Sequence, residues 1–302
     1  MLPASTQTHF RAKSLAQSES DERPGSRVLI SSLNRLLAVA FLVLISRCFT
    51  GCGVRSDGNS PNPNGANASS AADAVAQESV GRAPVLLFTG NGTSPNDVAA
   101  IESLLKDNHL NYATANSAQL DGMEESQLKQ HRLLIVPGGN FIDMSNGLAS
   151  NTTTNLRNAV RNGLNYLGIC AGAFLAGDSG PGYNGLNLTS GVRFKFYSIE
   201  NDGIRKAVVP ISVAEGPTLE HYWEDGPELT GWGAIVGRYP DGTPAIVQGT
   251  YGNGSVILTG FHPEAPANWR RGMEFTTPVG VDNAYAWTLI EAAMNRISLP
   301  HY

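Results

Sequence analysis

Charge is scarce in this chain. Only 16% of its 302 residues are Asp, Glu, Lys or Arg. From residue 84 onward 13 Lys and Arg face 20 Asp and Glu, a balance of −7 that argues against a nucleic-acid or anionic-membrane surface. Cysteine is scarcer, with only Cys48, Cys52 and Cys170. Long apolar runs are missing as well. The run Leu36 to Ile45 has ten residues, and crossing about 30 Å of hydrocarbon takes about 20, so it reads as a secretory h-region behind a polar, net-positive stretch rather than as a membrane span. There is no internal repeat, and no clustered His and Cys spacing that suggests a metal site. The loop from Gly90 to Pro95 could cradle an anion, but it lacks a P-loop lysine and reads as a plain turn at the site rim; no cofactor is expected.

Just past the h-region, Phe49-Thr50-Gly51-Cys52 resembles the lipobox of bacterial lipoproteins, in which the cysteine becomes the lipidated N-terminus. Residues 1–52 are therefore expected to form a signal peptide ending at a lipidation site on Cys52. The protein is then exported and membrane-anchored, facing the periplasm or cell exterior, with the lipid as its sole membrane contact. An ordinary signal peptide cut nearby is the alternative. Residues 53–83 are mostly Ser, Asn, Gly, Ala and Pro, which cannot recover their ordering entropy by burial and are expected to form a flexible linker. That leaves Cys170 as the only thiol of the mature domain, and an unpaired cysteine in an exported protein calls for an explanation.

The rest, 84–302, reads as one domain. Buried strands are expected at 84–88 and 132–136 and a weaker one at 112–114. A helix capped by Ser94-Pro95 carries Val98, Ile101, Leu104 and Leu105 at helical spacing. A second helix, through 155–161, leads into an apolar strand before Cys170. This alternation implies an α/β fold with a mostly parallel sheet and helices on both faces. After Gly177 the texture becomes β-rich, with strands expected at 191–197, 206–213, 232–238, 245–250 and 255–259. Hairpin turns are expected at Asp241-Gly242 and Gly252-Asn253-Gly254. A last helix is expected over 282–295.

The chemistry concentrates where the apolar strand breaks into a small-residue helix. Gly168 and Gly172 flank Cys170 at two residues' distance, which lets a strand turn sharply into a helix with the thiol at a strained apex. A helix N-terminus and a nearby imidazole favour thiolate, the nucleophilic form. The amide of Cys170 or Ala171 would face the oxygen of a tetrahedral intermediate, and Gly138 or Gly139 could offer a second donor. Downstream, Phe261-His262-Pro263-Glu264 supplies a base and a carboxylate two residues apart on an extended segment, where i and i+2 face one side. Glu264 would hold the ring and His262 would take the thiol proton, giving a Cys-His-Glu triad. Each residue has a plainer reading. Cys170 could be a small core residue, His262 a structural histidine, Glu264 a solvated turn residue and Pro137-Gly138-Gly139 a strand stop. His221, beside Tyr222-Trp223, could contact substrate or pack at the surface.

The ordered set of motifs resembles class I glutamine amidotransferases, the triad type of a flavodoxin-like superfamily. Within that superfamily it is most similar to the domain found at the N-terminus of eukaryotic biotin-protein ligases and in free-standing bacterial proteins. The likeness covers about 84–298. It is carried by Phe88-Thr89-Gly90 with Gly92-Thr93-Ser94-Pro95, by Pro137-Gly138-Gly139, by Tyr166 to Ala173, by Tyr222-Trp223 before Asp225-Gly226-Pro227, and by Gly254 leading to Gly260 through Glu264. By resemblance Cys170, His262 and Glu264 are nucleophile, base and orienting acid, with Gly139 and Ala171 as oxyanion donors. Gly138, Asn140, Gly92 and Tyr222 complete the oxyanion and substrate contacts expected here. The chain departs from the ligase-type pattern after Gly139, where Asn140-Phe141-Ile142-Asp143 stand in place of an arginine and an acidic residue. The expected partner is a small-molecule or peptide-like amide, with no nucleic acid and no synthase domain in the chain. The expected activity is amide cleavage or acyl transfer through a thioester, and the rival is a non-catalytic binding lipoprotein that keeps the pocket.

Overall fold

The computed structural model describes residues 83–302. The leader, Cys52 and the linker lie outside the described residues, apart from Ala83. Among the described residues no helix is long and apolar enough to cross a membrane.

The chain alternates strand and helix through its first half: β1 Val85–Phe88, α1 Pro95–Asp107, β2 Tyr112–Ala115, the short α2 Ser117–Asp121 and α3 Glu125–Leu128, β3 Leu133–Val136, α4 Phe141–Asn146, α5 Ser150–Arg161, β4 Asn165–Ile169 and α6 Ala171–Ala176. Strands dominate the second half: β5 Lys195–Phe196, β6 Lys206–Val213, β7 Thr218–Glu224, β8 Pro227–Glu228, β9 Ala234–Arg238, β10 Pro244–Tyr251 and β11 Gly254–Thr259, before the closing helix α7 Val279–Asn295. Nine strands form one sheet in the order β2-β1-β3-β4-β11-β10-β9-β6-β7, and β5 pairs with β8 separately. The pairings from β2 to β11 are parallel, whereas β10, β9, β6 and β7 join antiparallel. The parallel β2-to-β11 part, with its helices, is flavodoxin-like, and the antiparallel β10, β9, β6 and β7 are β-rich additions after the elbow.

Strand residues alternate between two cores, as the period of two requires. Leu86, Phe88, Leu134, Val136 and Tyr166 pack on one face with Leu156, Ala159 and Val160 of α5 and with α6. Val85, Leu87, Leu133, Ile135, Leu167 and Ile169 pack on the other with Ile101 and Leu105 of α1 and Leu289 and Ile290 of α7. Helices therefore cover both faces, and β1, β3 and β4 are buried along their whole length because neither side meets water.

Both expected hairpin turns are present, joining β9 to β10 and β10 to β11, with Gly242 and Gly252 at positive φ. Two expectations need correction. Of the alternating stretch 191–197 only Lys195–Phe196 is strand, since its one partner is the two-residue β8. His221 is not at the surface: it lies in β7, fully buried, its ring stacked on Phe261 at 4.4 Å and Nδ1 3.3 Å from Asp282 Oδ1. Burial, helped by the nearby Arg270 charge, pushes its pKa down to about 3, so the ring is neutral. β7 itself has no separate signal in the sequence, because its Thr-Leu-Glu-His-Tyr-Trp-Glu run mixes polar and aromatic residues without clean alternation.

Candidate active site

Cys170 sits where β4 ends and α6 begins, with φ +50° and ψ −103°. Non-glycine residues seldom adopt such a backbone, and it persists only where the surroundings over-determine it. Two close approaches do so here. A Cβ on Gly172 would lie 2.1 Å from the Val136 carbonyl oxygen, and one on Gly168 would lie 2.6 Å from the Gly172 carbonyl oxygen. The glycines at these positions let α6 press against the ends of β3 and β4, which leaves Cys170 as the turning residue.

The amide of Cys170 is not free to hold an oxyanion, because it donates to the Thr259 carbonyl at 2.9 Å. Of the two amides anticipated on the elbow, Ala171 is the one left, as the first residue of α6 with no carbonyl four residues back inside the helix. Opposite it, the loop after β3 is strapped to the loop after β1. Ser94 N–H donates to the Gly138 carbonyl at 3.0 Å and Asn140 N–H to the Gly92 carbonyl at 2.8 Å, a bridge in which the Gly139 N–H takes no part. Gly139, Asn140 and Ala171 line the same cavity of about 330 Å³ as Cys170.

The remaining contacts anticipated from sequence fall elsewhere. Gly92 belongs to the strap behind Asn140. Gly138 lies over the imidazole, where a Cβ would be 2.6 Å from His262 Cε1 and 2.1 Å from Asp97 Oδ1. Tyr222 lines a separate, polar cavity with Asp97, Glu224 and Trp269. Its hydroxyl is committed to Glu224 Oε2 at 2.6 Å, and its carbonyl accepts from the His262 N–H at 2.9 Å. Asn140 Oδ1 caps α4 by accepting from the N–H groups of Ile142 and Asp143, so the side chain is already engaged.

His262 and Glu264 converge as the i, i+2 spacing requires. Nδ1–H donates to Glu264 Oε1 at 3.0 Å, with both side chains buried. A third residue completes the arrangement. Asp97 Oδ1 also lies 3.0 Å from Nδ1, but outside hydrogen-bonding geometry, and it has no other hydrogen-bond partner. The two carboxylates diverge in acidity. Asp97 is held below its ordinary value: burial opposes this, but the His262 charge and hydrogen bonds from Ser94 and its own backbone prevail. Glu264 is pushed up, by burial first and by Asp97 as well, against the pull of His262. Asp97 is thus the firmer anion and Glu264 the acceptor that fixes the ring. Burial disfavours a charged His262, yet the nearby charges of Cys170, Asp97 and Glu264 outweigh it and hold the imidazole pKa well above its usual value. The thiol of Cys170 itself donates to the Glu224 carbonyl at 3.4 Å.

Sequence reasoning missed Asp97. It stands in the first turn of α1, where an acidic residue is ordinary because it complements the helix dipole, so nothing local marked it. Trp269, edge-on to His262 with ring centroids 5.7 Å apart, was missed as well. Ligand atoms of Asp97, His262 and Glu264 lie within 4.8 Å of one another, the one such group among the described residues that could hold a metal ion. An ion there would have to displace the Nδ1–H from Glu264.

Comparison with known proteins bears on this arrangement. Residues 83–181 match the family model described as biotin-protein ligase, N terminal. Over that stretch the chain is similar to the N-terminal domain of biotin-protein ligases. The match takes in α1, the strap loops and the elbow, whereas His262 and Glu264 lie beyond it. Among solved structures, one described as a glutamine amidotransferase aligns at a TM-score of 0.52 with 17% identity, over 70% of this chain and 98% of that one. A GMP synthase subunit from Thermoplasma acidophilum, itself named provisionally, aligns at 0.46 with 15% identity, over 72% and 98%. An exo-β-1,4-mannosidase from an Opitutaceae bacterium, strain TAV5, aligns at 0.46 with 16% identity, over 74% of this chain and 38% of that one. At such identity the likeness to the first is one of fold, which is glutamine amidotransferase-like. No curated protein sequence matches the chain.

Proposed function

We propose that this domain is a Cys-His-Glu enzyme that cleaves or transfers an amide or peptide-like acyl group, with Asp97 as a second carboxylate on the histidine. The observation that carries this reading is the buried imidazole at 3.0 Å from two carboxylates, its pKa raised by charges that include Cys170, which sits on a strained elbow lining a cavity. In this mechanism the Cys170 proton passes to His262 and the thiolate attacks the carbonyl carbon. The amides of Gly139 and Ala171 meet the oxyanion. As the C–N bond breaks, the imidazolium protonates the leaving amine, and a thioester remains on Cys170. Water, or a second amine, then attacks with His262 as base, releasing the acid or new amide and restoring the thiol. The leader supports an extracytoplasmic, lipid-anchored setting through Cys52, in which the substrate is a free amide or peptide-like molecule.

A second reading is a binding lipoprotein that keeps the pocket without turnover. The hydrogen bond from the thiol to the Glu224 carbonyl favours it, because that bond spends the proton the triad would transfer. Labelling by iodoacetamide separates the two. Cys170 should react about tenfold or more faster in the native protein than after His262→Ala, since the imidazolium is what stabilises thiolate. Equal rates would leave the binding reading. Hydrolysis of glutamine, γ-glutamyl amides and cell-wall peptides, with Cys170→Ala as control, then ranks substrates.

A further inference from the structure

The walls of the cavity beside Cys170 are more specific than its floor. Phe174 stands one helical turn beyond the nucleophile on α6 and stacks on Phe141 at 4.5 Å with an interplanar angle of 23°. Phe196 of β5 leans on Phe174 at 4.8 Å, and Tyr183 meets Phe141 edge-on at 4.9 Å. Phe141, Phe174, Phe196 and Ile142 all line the cavity. Two of them leave a large apolar surface to water, with Phe196 and Ile142 each 38% exposed. Bare apolar surface costs roughly 25 cal/mol per Å² relative to being covered, so a wall of this kind beside a nucleophile favours an apolar occupant.

The polar groups at the mouth do not compete with that preference. Arg205 is paired with Glu200 and, at 3.4 Å, with Asp225, so its charge is compensated within the chain. Asn140 turns its Oδ1 to the cap of α4, so that the acceptor end of this side chain is spent within the chain. The volume of about 330 Å³ stands at the small end of the range for ligand pockets, enough for a single compact group.

We propose that this pocket selects an aromatic or large apolar acyl group, so that the preferred substrate is the amide of such an acid, and that Phe141, Phe174 and Phe196 determine this specificity. The inference rests on the acyl-transfer reading above and adds the substrate class. The reaction is balanced as before: the amide C–N bond and one water are consumed, and the apolar acid and free amine are released.

Two reagents with the same warhead test it on the full-length protein, the chloromethyl ketones of N-acetyl-phenylalanine and N-acetyl-glycine, with iodoacetamide as a probe of the thiol alone. Alkylation of Cys170 by the phenylalanine reagent should be about tenfold or more faster than by the glycine reagent, and Phe196→Ala should cut that ratio several-fold. If iodoacetamide labels Cys170 in a His262-dependent manner but the two ketones react equally, the aromatic pocket is refuted and the nucleophile stands. If labelling shows no dependence on His262, the enzyme reading fails and takes the substrate class with it. Hydrolysis of glutamine in preference to phenylalaninamide would also overturn the proposal.

Discussion

Replacing Asp97 by Asn should lower the pKa of His262 and leave the fold in place. Asn has nearly the same shape, so the close fit against Gly138 survives while one negative charge leaves. At 3.0 Å and an effective dielectric constant of about 20, the pair is worth roughly 5 kcal/mol before desolvation is counted. A close opposite charge favours the charged ring, so the His262 midpoint should fall toward the ordinary histidine value once Asp97 is neutral. The sign also fixes the stability effect. A histidine whose folded pKa is raised lends stability that is fully present below its unfolded value near 6.5 and is lost as pH rises through the folded value. The variant should therefore lose most stability below pH ~6.5 and converge on the native protein at alkaline pH. The assay is an NMR titration of the His262 Cε1 proton, assigned by its disappearance in His262→Gln, with urea melts at several pH values beside it. An unchanged midpoint in Asp97→Asn would refute the claim that this carboxylate charges the imidazole, and would return the whole task to Glu264.

Other expectations rest on the same geometry. Gly138→Ala would put a methyl group against Asp97 Oδ1 and His262 Cε1, so Cys170 alkylation should slow about tenfold or more while the far-UV circular dichroism stays native; native alkylation rates would show that the ring does not depend on that approach. Cys170→Gly should relieve a backbone strain of about 1–3 kcal/mol, offsetting the lost side chain, so its urea midpoint should not fall below that of the native protein; a clear loss of stability would show that the elbow is unstrained. His221 is neutral when folded, with a pKa near 3, so the unfolded chain binds the extra proton below pH ~6.5 and stability drains as pH falls. By pH 4 this amounts to ~3 kcal/mol, and His221→Phe should flatten the acid side of the stability profile; parallel profiles would refute it.

Both ends of the candidate site are legible in local sequence. The elbow is legible at Gly168-Ile169-Cys170-Ala171-Gly172 because a strained turn needs small neighbours in covalent sequence, and His262 and Glu264 are legible because an extended backbone places i and i+2 together. The buried strands were likewise written into local apolar runs, and so was the alternation that makes the sheet parallel. What tertiary structure alone decided is which distant groups share a desolvated space. Asp97 looks like any acid in a first helical turn until folding sets the start of α1 against the segment after β11 that carries His262. Phe141, Phe174 and Phe196 are scattered over three elements and become one wall when β5 folds over α6. His221 reads as a surface residue beside charged neighbours until β7 joins the sheet and buries it. Local sequence encodes backbone geometry because that geometry is set by neighbouring side chains. Charge and polarity in a site depend on what excludes water from it, and that comes from segments far away along the chain.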